Sequence, residues 1–492
     1  MIEARPRSAA IVNLGCKVNQ SEMEAAARLL REASIPLVAD GGSAELVLVN
    51  TCTVTSTADE KSRAAVRRAR RANPGAEIVV TGCSVQVGPE AFGAVDAAAR
   101  LVGNDDKAAF LAELEALLGQ PGEGGPLDAA LPTLSGVEAV AARPLDGIAD
   151  DRASVERTRA FVKVQDGCSF YCTYCIIPRA RGAERSLPPD VVLADVRRAI
   201  STGHREIVLT GINIGTYDGG SSERGARGSH LRSALTLPGL VRRILDETPV
   251  ERIRLSSIEP QHVDEDLLAA WTDGAPRTLP HLHLPLQSGD DGVLRRMGRR
   301  YLSAGYARVV EDARAAIPGV AIHADVIAGF PGEDDEAHVR ALAFIERLGL
   351  AGVHVFRYSA RPGTAATRMA GQVEERTKKT RAAQLLEFAT AAKARFARAS
   401  VGTTARVLIE QRLPDGRWVG HAEDHVLVAV VPRADDLIDL ENALATVRRV
   451  AVDPSAADRV IGEPLHLDPP ARPLRRPVAV LATPSPGASH GR

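Results

Sequence analysis

Along the first hundred residues, apolar runs of six or seven alternate with longer segments whose apolar positions recur every three or four residues. AAIVNLG (9–15), ELVLVNT (45–51) and EIVVTG (77–82) have the near-continuous apolar character of strands buried on both faces. SEMEAAARLLREAS and STADEKSRAAVRRARRA follow the first two with helical spacing, and a further helix is expected after Pro89. Strand–helix alternation of this kind predicts a parallel, doubly wound sheet. Each of the three strands runs into a cysteine: Cys16, Cys52 and Cys83. Ligands bind at the carboxyl edge of open parallel sheets. If the strands are neighbours, the three thiols meet at one rim.

A second alternation runs from about 158 to 395. Its strand candidates are AFVKVQ (160–165), EIVLTG (206–211), RIRLSS (252–257), HLHLPL (281–286), AIHADVIAG (321–329) and GVHVFRYS (352–359). Amphipathic stretches such as PPDVVLADVRRAISTG and LSAGYARVVEDARAAIPG separate them. Six β–α units predict a (β/α) barrel, complete or short of eight strands. From 398 the pattern shortens to β-like runs with turn residues, which predicts a small β-barrel or sandwich. Residues 119–155 are rich in Gly, Pro and Ala and aperiodic, and read as a linker or insertion. GGSSERGARGSH (219–230) reads as a mobile loop. The organisation expected is therefore 8–118, a linker at 119–155, a barrel at 156–396, a β domain at 397–466, and a disordered tail at 467–492.

Composition narrows the class. The chain has 492 residues, 45% hydrophobic and 25% charged, which suits a soluble globular protein. No apolar run reaches eighteen residues, so no membrane-spanning helix is expected, and MIEARPRSAAIVNLG lacks the apolar core of a secretory leader. A cytoplasmic protein is expected. The net charge of −1 is silent on nucleic acid, so only local patches carry weight. Six cysteines in so long a chain are too few for a disulfide framework and point to metal binding or catalysis.

The stretch QDGCSFYCTYCIIPRARG places Cys168, Cys172 and Cys175 in the spacing C-x-x-x-C-x-x-C directly after the first barrel strand. Active sites of (β/α) barrels lie at that mouth. Structural zinc wants four closed ligands, and no His or further Cys follows within 25 residues. Closely spaced thiolates also hold iron–sulfur clusters. Three of them on a 4Fe–4S cluster leave one iron free for a substrate or cofactor, which is the reading the spacing favours.

With Tyr174 before the last cysteine, this motif resembles that of the radical S-adenosylmethionine (SAM) superfamily. The resemblance implies that the open iron binds SAM, whose cleavage gives a 5′-deoxyadenosyl radical. NLGCKVNQSEME, LVNTCTVTSTADEKSR and VVTGCSVQ resemble the N-terminal domain of the methylthiotransferase family, in which three cysteines, here Cys16, Cys52 and Cys83, hold a second 4Fe–4S cluster. That family continues with a radical SAM barrel and a small β domain called TRAM. SSIEP (256–260), HLHLPLQSG (281–289), DVIAGFPGED (325–334) and HVFRYSARPGT (354–364) are similar to the branch that methylthiolates threonylcarbamoyl-adenosine beside the anticodon of tRNA. The resemblance implies two uses of SAM, one as methyl donor to the sulfur and one as the radical source that frees carbon 2 of the adenine. It also implies a tRNA partner, an electron donor such as flavodoxin or ferredoxin, and a sulfur source that the sequence does not identify.

Further positions at the barrel mouth are candidates for holding SAM or substrate. Ser257, Glu259, Gln287 and Ser288 end strands there and could bond a ribose or an amino acid, or be structural turns. Gly329 and Gly332 would let backbone approach the SAM adenine. Asp325 and Glu333 are ligand groups or caps. For RNA, RRMGRRY offers Arg295, Arg296, Arg299 and Arg300, and YSARPGT offers Arg361; KSRAAVRRARR (61–71) and RTKKTR (376–381) are further basic runs. Each run is either a phosphate contact or a solvated helix face. Aromatic residues make up only 3% of the chain, so stacking platforms are scarce. Two alternatives remain open at this stage: a sister methylthiotransferase acting on isopentenyladenosine or on a ribosomal-protein aspartate, and a non-catalytic metal protein that binds RNA.

Overall fold

The structure, a computed structural model, describes residues 6–38, 43–118, 158–220, 235–431 and 439–469. The linker expected at 119–155 lies outside the described residues, as do the insert expected at 219–230 beyond its first two residues and the tail beyond 469.

Five parallel strands make the first sheet: β1 (Ala9–Asn13), β2 (Leu37–Val38), β3 (Leu46–Thr51), β4 (Glu77–Gly82) and β5 (Arg100–Val102), in the order β2-β1-β3-β4-β5. Helices α1 (Lys17–Glu32), α2 (Ser56–Ala72), α3 (Cys83–Val87), α4 (Glu90–Gly93) and α5 (Lys107–Leu118) join and follow them. The period of two in β3 shows why its apolar run has no polar alternation. Leu46 and Leu48 pack with Met23 and Leu30 of α1 and Phe110 and Leu111 of α5, while Val47 and Val49 face Ala65 and Val66 of α2. Helices therefore cover both faces. The three strands ending at cysteines are adjacent, in register Asn13 with Asn50 and Asn50 with Thr81.

The middle of the chain builds a partial barrel from β6 (Arg159–Lys163), β9 (Glu206–Thr210), β10 (Arg252–Leu255), β11 (His281–His283), β12 (Ala321–Ala328) and β13 (Gly352–Arg357). Two parallel three-stranded sheets, β10-β9-β6 and β11-β12-β13, are linked by the bridges Ile253–Thr278 and Ser257–His283. A two-stranded ribbon of β7 (Gln165–Asp166) and β8 (Arg185–Ser186) stands at its mouth. β11 stops at His283, short of the run ending at 286, because Pro285 has no N–H for the ladder. Around the barrel lie α6 (Ile177–Arg181), α7 (Pro189–Ser201), α8 (Leu237–Glu247), α9 (Glu265–Asp273), α10 (Asp291–Met297), α11 (Ser303–Ala316), α12 (Asp335–Leu348) and α13 (Glu375–Ala399). Asp264, Asp290 and Asp334 cap α9, α10 and α12 by accepting from Leu267, Val293 and Ala337 amides.

Strands β14 (Thr404–Arg412), β15 (Trp418–Ala422), β16 (Leu427–Val430), β17 (Leu444–Val452) and β18 (Arg459–Asp468) close a small barrel around Val407, Ile409, Val428 and Val447. It docks on the N-terminal ends of the central strands. Arg252, the first residue of β10, donates to the Arg406 carbonyl at 2.9 Å, and Arg159, the first of β6, pairs with Glu410 at 3.1 Å. The N-terminal domain sits at the opposite end, where Ser56 bonds Ser359 and Arg361 bonds Thr53. The mouth of the central barrel thus opens onto the rim of the first sheet.

Candidate active site: two cysteine trios flanking one short helix

The barrel trio is a local structure. Gly167 turns the chain at φ +70°, where an added Cβ would lie 2.0 Å from the Ala183 carbonyl oxygen. The Cys168 amide donates to Gly182 at 3.1 Å, and the Cys175 amide to Cys172 at 2.9 Å. Thr173 pins the loop between them: its amide donates to Met297, its hydroxyl to Arg296, and its carbonyl accepts from Ala366. Arg299 lies beneath, with Nη1 3.3 Å from both Cys172 Sγ and the Tyr174 hydroxyl, Nη2 2.8 Å from the Tyr301 hydroxyl, and Glu259 as its carboxylate partner. Burial pushes the Cys168 thiol up and the Cys175 thiol up to about 12. Such thiols become good ligands when a metal displaces the proton.

The second trio is assembled by topology. Cys16 is the residue before α1, Cys52 follows β3, and Cys83 begins α3. Gly15, at φ +118°, brings the first two together: a Cβ there would sit 3.1 Å from Cys52 Cβ and 2.7 Å from Asn19 Nδ2. Asn19 Oδ1 is 3.8 Å from the sulfurs of both Cys16 and Cys83. Its amide nitrogen donates to the carbonyls of Leu14 and Thr51 at 2.9 Å, which fixes its orientation. Burial pushes the Cys52 thiol up to about 12.

A buried charge network lies behind this trio. Arg181, 1% exposed, reaches Asn19 Oδ1 at 2.5 Å, Glu22 at 2.9 Å and Asp166 at 2.9 Å. Lys107 and Lys163 bond Glu22 at 2.6 and 3.1 Å, and Lys163 also bonds Asp166 at 2.7 Å. Burial opposes the charge on Glu22, but Arg181, Lys107 and Lys163 outweigh it and hold its carboxyl well below the usual range. Three buried cations face two carboxylates beside the sulfurs, and burial pushes the Cys16 thiol up while the Arg181 guanidinium partly offsets it.

One five-residue helix connects the two sites. α6 begins two residues after Cys175 and ends at Arg181, a rise of roughly 8 Å at 1.5 Å per residue. The Asn104 amide donates to the Ala180 carbonyl at 2.6 Å and to Cys83 Sγ at 3.4 Å, so that the second trio holds the end of the helix that leaves the first. All six cysteines are free thiols. Neither trio is among the side-chain groups whose three ligand atoms lie within 4.8 Å of one another. A single tetrahedral zinc would hold its sulfurs about 3.8 Å apart at 2.3 Å bond lengths. Wider trios of thiols fit the larger iron–sulfur cluster.

The other residues singled out in the sequence fall into three groups. Ser257, Asp325 and Tyr174 lie with Glu259 near the lumen. Ser257 Oγ meets His283 Nδ1 at 2.8 Å, and Asp325 meets His283 Nε2 at 2.9 Å and His354 Nδ1 at 3.2 Å. The histidines hold the Asp325 carboxyl well below its usual range against the effect of burial. Gln287 has φ +68° and exchanges backbone bonds with Asp325 and Ile327, and Ser288 is buried. In the second group, the Gly329 amide donates to Glu333, which also pairs with Arg381 at 3.1 Å, so Glu333 acts as a turn cap; at Gly332, φ +87°, a Cβ would meet Arg296 Nε at 2.3 Å. The third group is the arginines. Arg299 is buried at Cys172, Arg361 is buried against Asp59 and Thr53, and Arg296 bonds the carbonyls of Pro331 and Ala370. Arg295, Arg296 and Arg300 are exposed, Arg300 with its guanidinium 3.8 Å from the Phe170 ring centroid.

Sequence reasoning missed Asn19, Glu22, Asn104, Asp166 and Arg181. Asn19 and Glu22 stand three and six residues after Cys16, one helical face, and that spacing was the available signal. Arg181 carried none, since its partner Glu22 is 159 residues away.

Comparison with known proteins agrees with this architecture. A model described as an uncharacterized protein family, UPF0004, matches residues 8–103, and that of the radical SAM superfamily matches residues 162–345. The chain is 34% identical over 431 residues to the threonylcarbamoyladenosine tRNA methylthiotransferase MtaB of Bacillus subtilis, covering 86% of this chain and 90% of that protein. It is 32% identical over 419 residues to the tRNA-2-methylthio-N(6)-dimethylallyladenosine synthase of Novosphingobium aromaticivorans, covering 85% and 90%. Among solved structures, the radical SAM methyltransferase TsrM of Kitasatospora setae shares the fold at a TM-score of 0.50 and 15% identity, over 74% of this chain and 77% of that one.

Proposed function

This chain belongs to the radical SAM methylthiotransferase family, most like its threonylcarbamoyladenosine tRNA branch, and from that premise we propose that it inserts a methylthio group at carbon 2 of the threonylcarbamoyladenosine 3′ of the anticodon. The observation that carries this reading is the sorting of six free thiols into two trios at opposite ends of α6. Each trio offers three protein donors and leaves the fourth position to a non-protein ligand. A 4Fe–4S cluster held by Cys168, Cys172 and Cys175 would supply the electron that splits one SAM, and a second held by Cys16, Cys52 and Cys83 would carry the attached sulfur that another SAM methylates.

The chain's own residues then have definable tasks. Arg299 ties Cys172 to Tyr174 and Glu259, orienting the loop that carries the first trio. Arg181 and Asn19 orient the second trio and set its charge. Ser257, Glu259, Gln287, Ser288, Asp325, Gly329 and Gly332 are assigned to SAM and the target adenosine. The exposed Arg295 and Arg300, with the TRAM-like C-terminal barrel, are assigned to the tRNA backbone, where cationic side chains gain affinity by releasing counterions. An electron donor such as flavodoxin or ferredoxin and a cytoplasmic location complete the reading. Among the described residues, no helix is long and apolar enough to cross a membrane.

Mass spectrometry of tRNA nucleosides from a strain lacking the gene tests the assignment. The methylthio form of threonylcarbamoyladenosine should vanish while that of isopentenyladenosine persists. The opposite pattern transfers the chain to the sister branch, and no change in either overturns the tRNA reading.

A further inference from the structure

Half of the chain's 12 histidines, His281, His283, His323, His354, His421 and His425, line one cavity of about 210 Å³ between the central and C-terminal barrels. Two groups among them bring three ligand atoms within 4.8 Å of one another: His283 with Asp325 and His354, and His281 with His323 and His425. The first group is closed by its own hydrogen bonds to Asp325 and Ser257. His421 is likewise engaged by Glu410 at 2.8 Å.

The second group is different. His281, 6% exposed, and His323 each leave a buried Nδ1 without a hydrogen-bond partner, an arrangement that is unfavourable unless a ligand replaces the lost partner. Both point into the lumen from adjacent parallel strands, since Leu282, Ile322 and Ala324 take the alternate positions in the outer core. Room for the His323 ring exists because residue 352 is glycine; a Cβ there would lie 2.5 Å from His323 Cδ2. His425 enters from the turn between β15 and β16 with φ +64°, a conformation rare for a residue with a side chain, which brings its ring centroid within 4.6 Å of His281 and 5.4 Å of His323. Four charged side chains also line the cavity, Lys17, Lys393, Asp424 and Asp458, of which Asp424 is held by Arg449 at 2.7 Å.

We propose that His281, His323 and His425 bind one divalent transition-metal ion of the zinc class, with water from the cavity as fourth ligand, and that this ion joins the C-terminal barrel to the radical SAM barrel. Three neutral imidazoles are a donor set such ions prefer. At bond lengths of 2.0–2.1 Å the nitrogens of a tetrahedral site stand about 3.4 Å apart, so the trio closes from 4.8 Å or less by small side-chain rotations. Two ligands come from one barrel and the third from the other, so binding contributes directly to their docking.

The test uses the full-length protein carrying both clusters, dialysed against micromolar Zn²⁺, with zinc content measured and the zinc K-edge absorption fine structure recorded. About one zinc per chain is expected, with a nitrogen and oxygen shell at about 2.0 Å and no sulfur shell at 2.3 Å. H323Q and H425Q should each weaken zinc binding at least about tenfold while leaving the iron content unchanged. No retained zinc, a sulfur shell, or equal zinc in wild type and both variants overturns the site. Should either variant fail to fold, the wild-type spectrum alone decides between a histidine shell and zinc lodged on the cysteines.

Discussion

The two cysteine trios each present three thiols, by opposite routes. Cys168, Cys172 and Cys175 lie within eight residues on a loop pinned by Gly167, Thr173 and Arg299. Cys16, Cys52 and Cys83 span 68 residues and meet only because β1, β3 and β4 are neighbours in one sheet. The first site is a property of a segment, the second of a fold. The difference teaches that the second depends on distant residues for its shape, and that a change to one trio should leave the other standing.

Substitution of single ligands breaks the comparison most severely. Cys168→Ala should reduce SAM cleavage to background, whereas Cys52→Ala should keep SAM cleavage and abolish methylthio transfer. Each variant should lose about four of about eight irons per chain if each trio holds a 4Fe–4S cluster as proposed. Loss of both activities in Cys52→Ala, with all iron gone, would show that the trios are one site.

Arg181 and Arg299 are the next lever. Each is buried and bonds carboxylates behind its own trio. Arg181→Ala leaves Glu22 and Asp166 with Lys107, Lys163 and the more distant, exposed Arg185, and breaking a buried pair in this way costs about 3 kcal/mol or more. It should unload the second trio selectively, and Arg299→Ala the first, as read by iron content and thermal unfolding.

The same network has a pH signature. Glu22 and Asp166 are held below their unfolded values, against burial, chiefly by Arg181. Depressed carboxylates contribute stability that is present above their ordinary pKa of about 4 and lost as pH falls below it. The gap in unfolding midpoint between wild type and Arg181→Ala should therefore be widest at neutral pH and shrink as pH falls through about 4. A gap that stays constant would mean that the arginine acts by packing rather than charge.

Legibility in the sequence follows the same division. β4 occupies the run EIVVTG, and β3 all but the first residue of ELVLVNT, because strands buried on both faces write themselves as continuous apolar runs. β1 stops at Asn13, two residues before the end of its run, where the turn through Gly15 to Cys16 begins. α1 begins at Lys17 rather than at Ser21, because the polar turn KVNQ precedes the apolar stripe that marks the helix. The ribbon β7–β8 has two residues per strand, too few for any period. β18 runs to Asp468, which pairs with Leu444 of β17, a long-range partner that the turn-rich pattern does not record. Arg299 and Arg361 read as surface charge, yet their partners Glu259 and Asp59 are 40 and 302 residues away. No local pattern records such pairs. The His281–His323–His425 group is hidden for the same reason, being assembled from two barrels.

The smallest substitution sharpens the comparison furthest. Asn104 touches neither the loop of the first trio nor its arginine. Its amide joins Cys83 to the Ala180 carbonyl, and its Oδ1 accepts from Lys107 at 2.8 Å. Asn104→Ala removes about 1–2 kcal/mol of hydrogen bonding, leaves Lys107 paired with Glu22, and should keep both trios loaded with iron. What it loosens is the register of α6 against Cys83, the relation between the sites. On the proposed function, SAM cleavage needs only the first trio and should be unchanged. Methylthio transfer needs reacting groups from both, and small misplacements are costly there, so it should fall by about tenfold, equivalent to about 1.4 kcal/mol on the barrier. Equal effects on the two activities, or none on either, would mean that the trios are positioned by the two domains as rigid bodies and that α6 with Asn104 contributes nothing to their coupling.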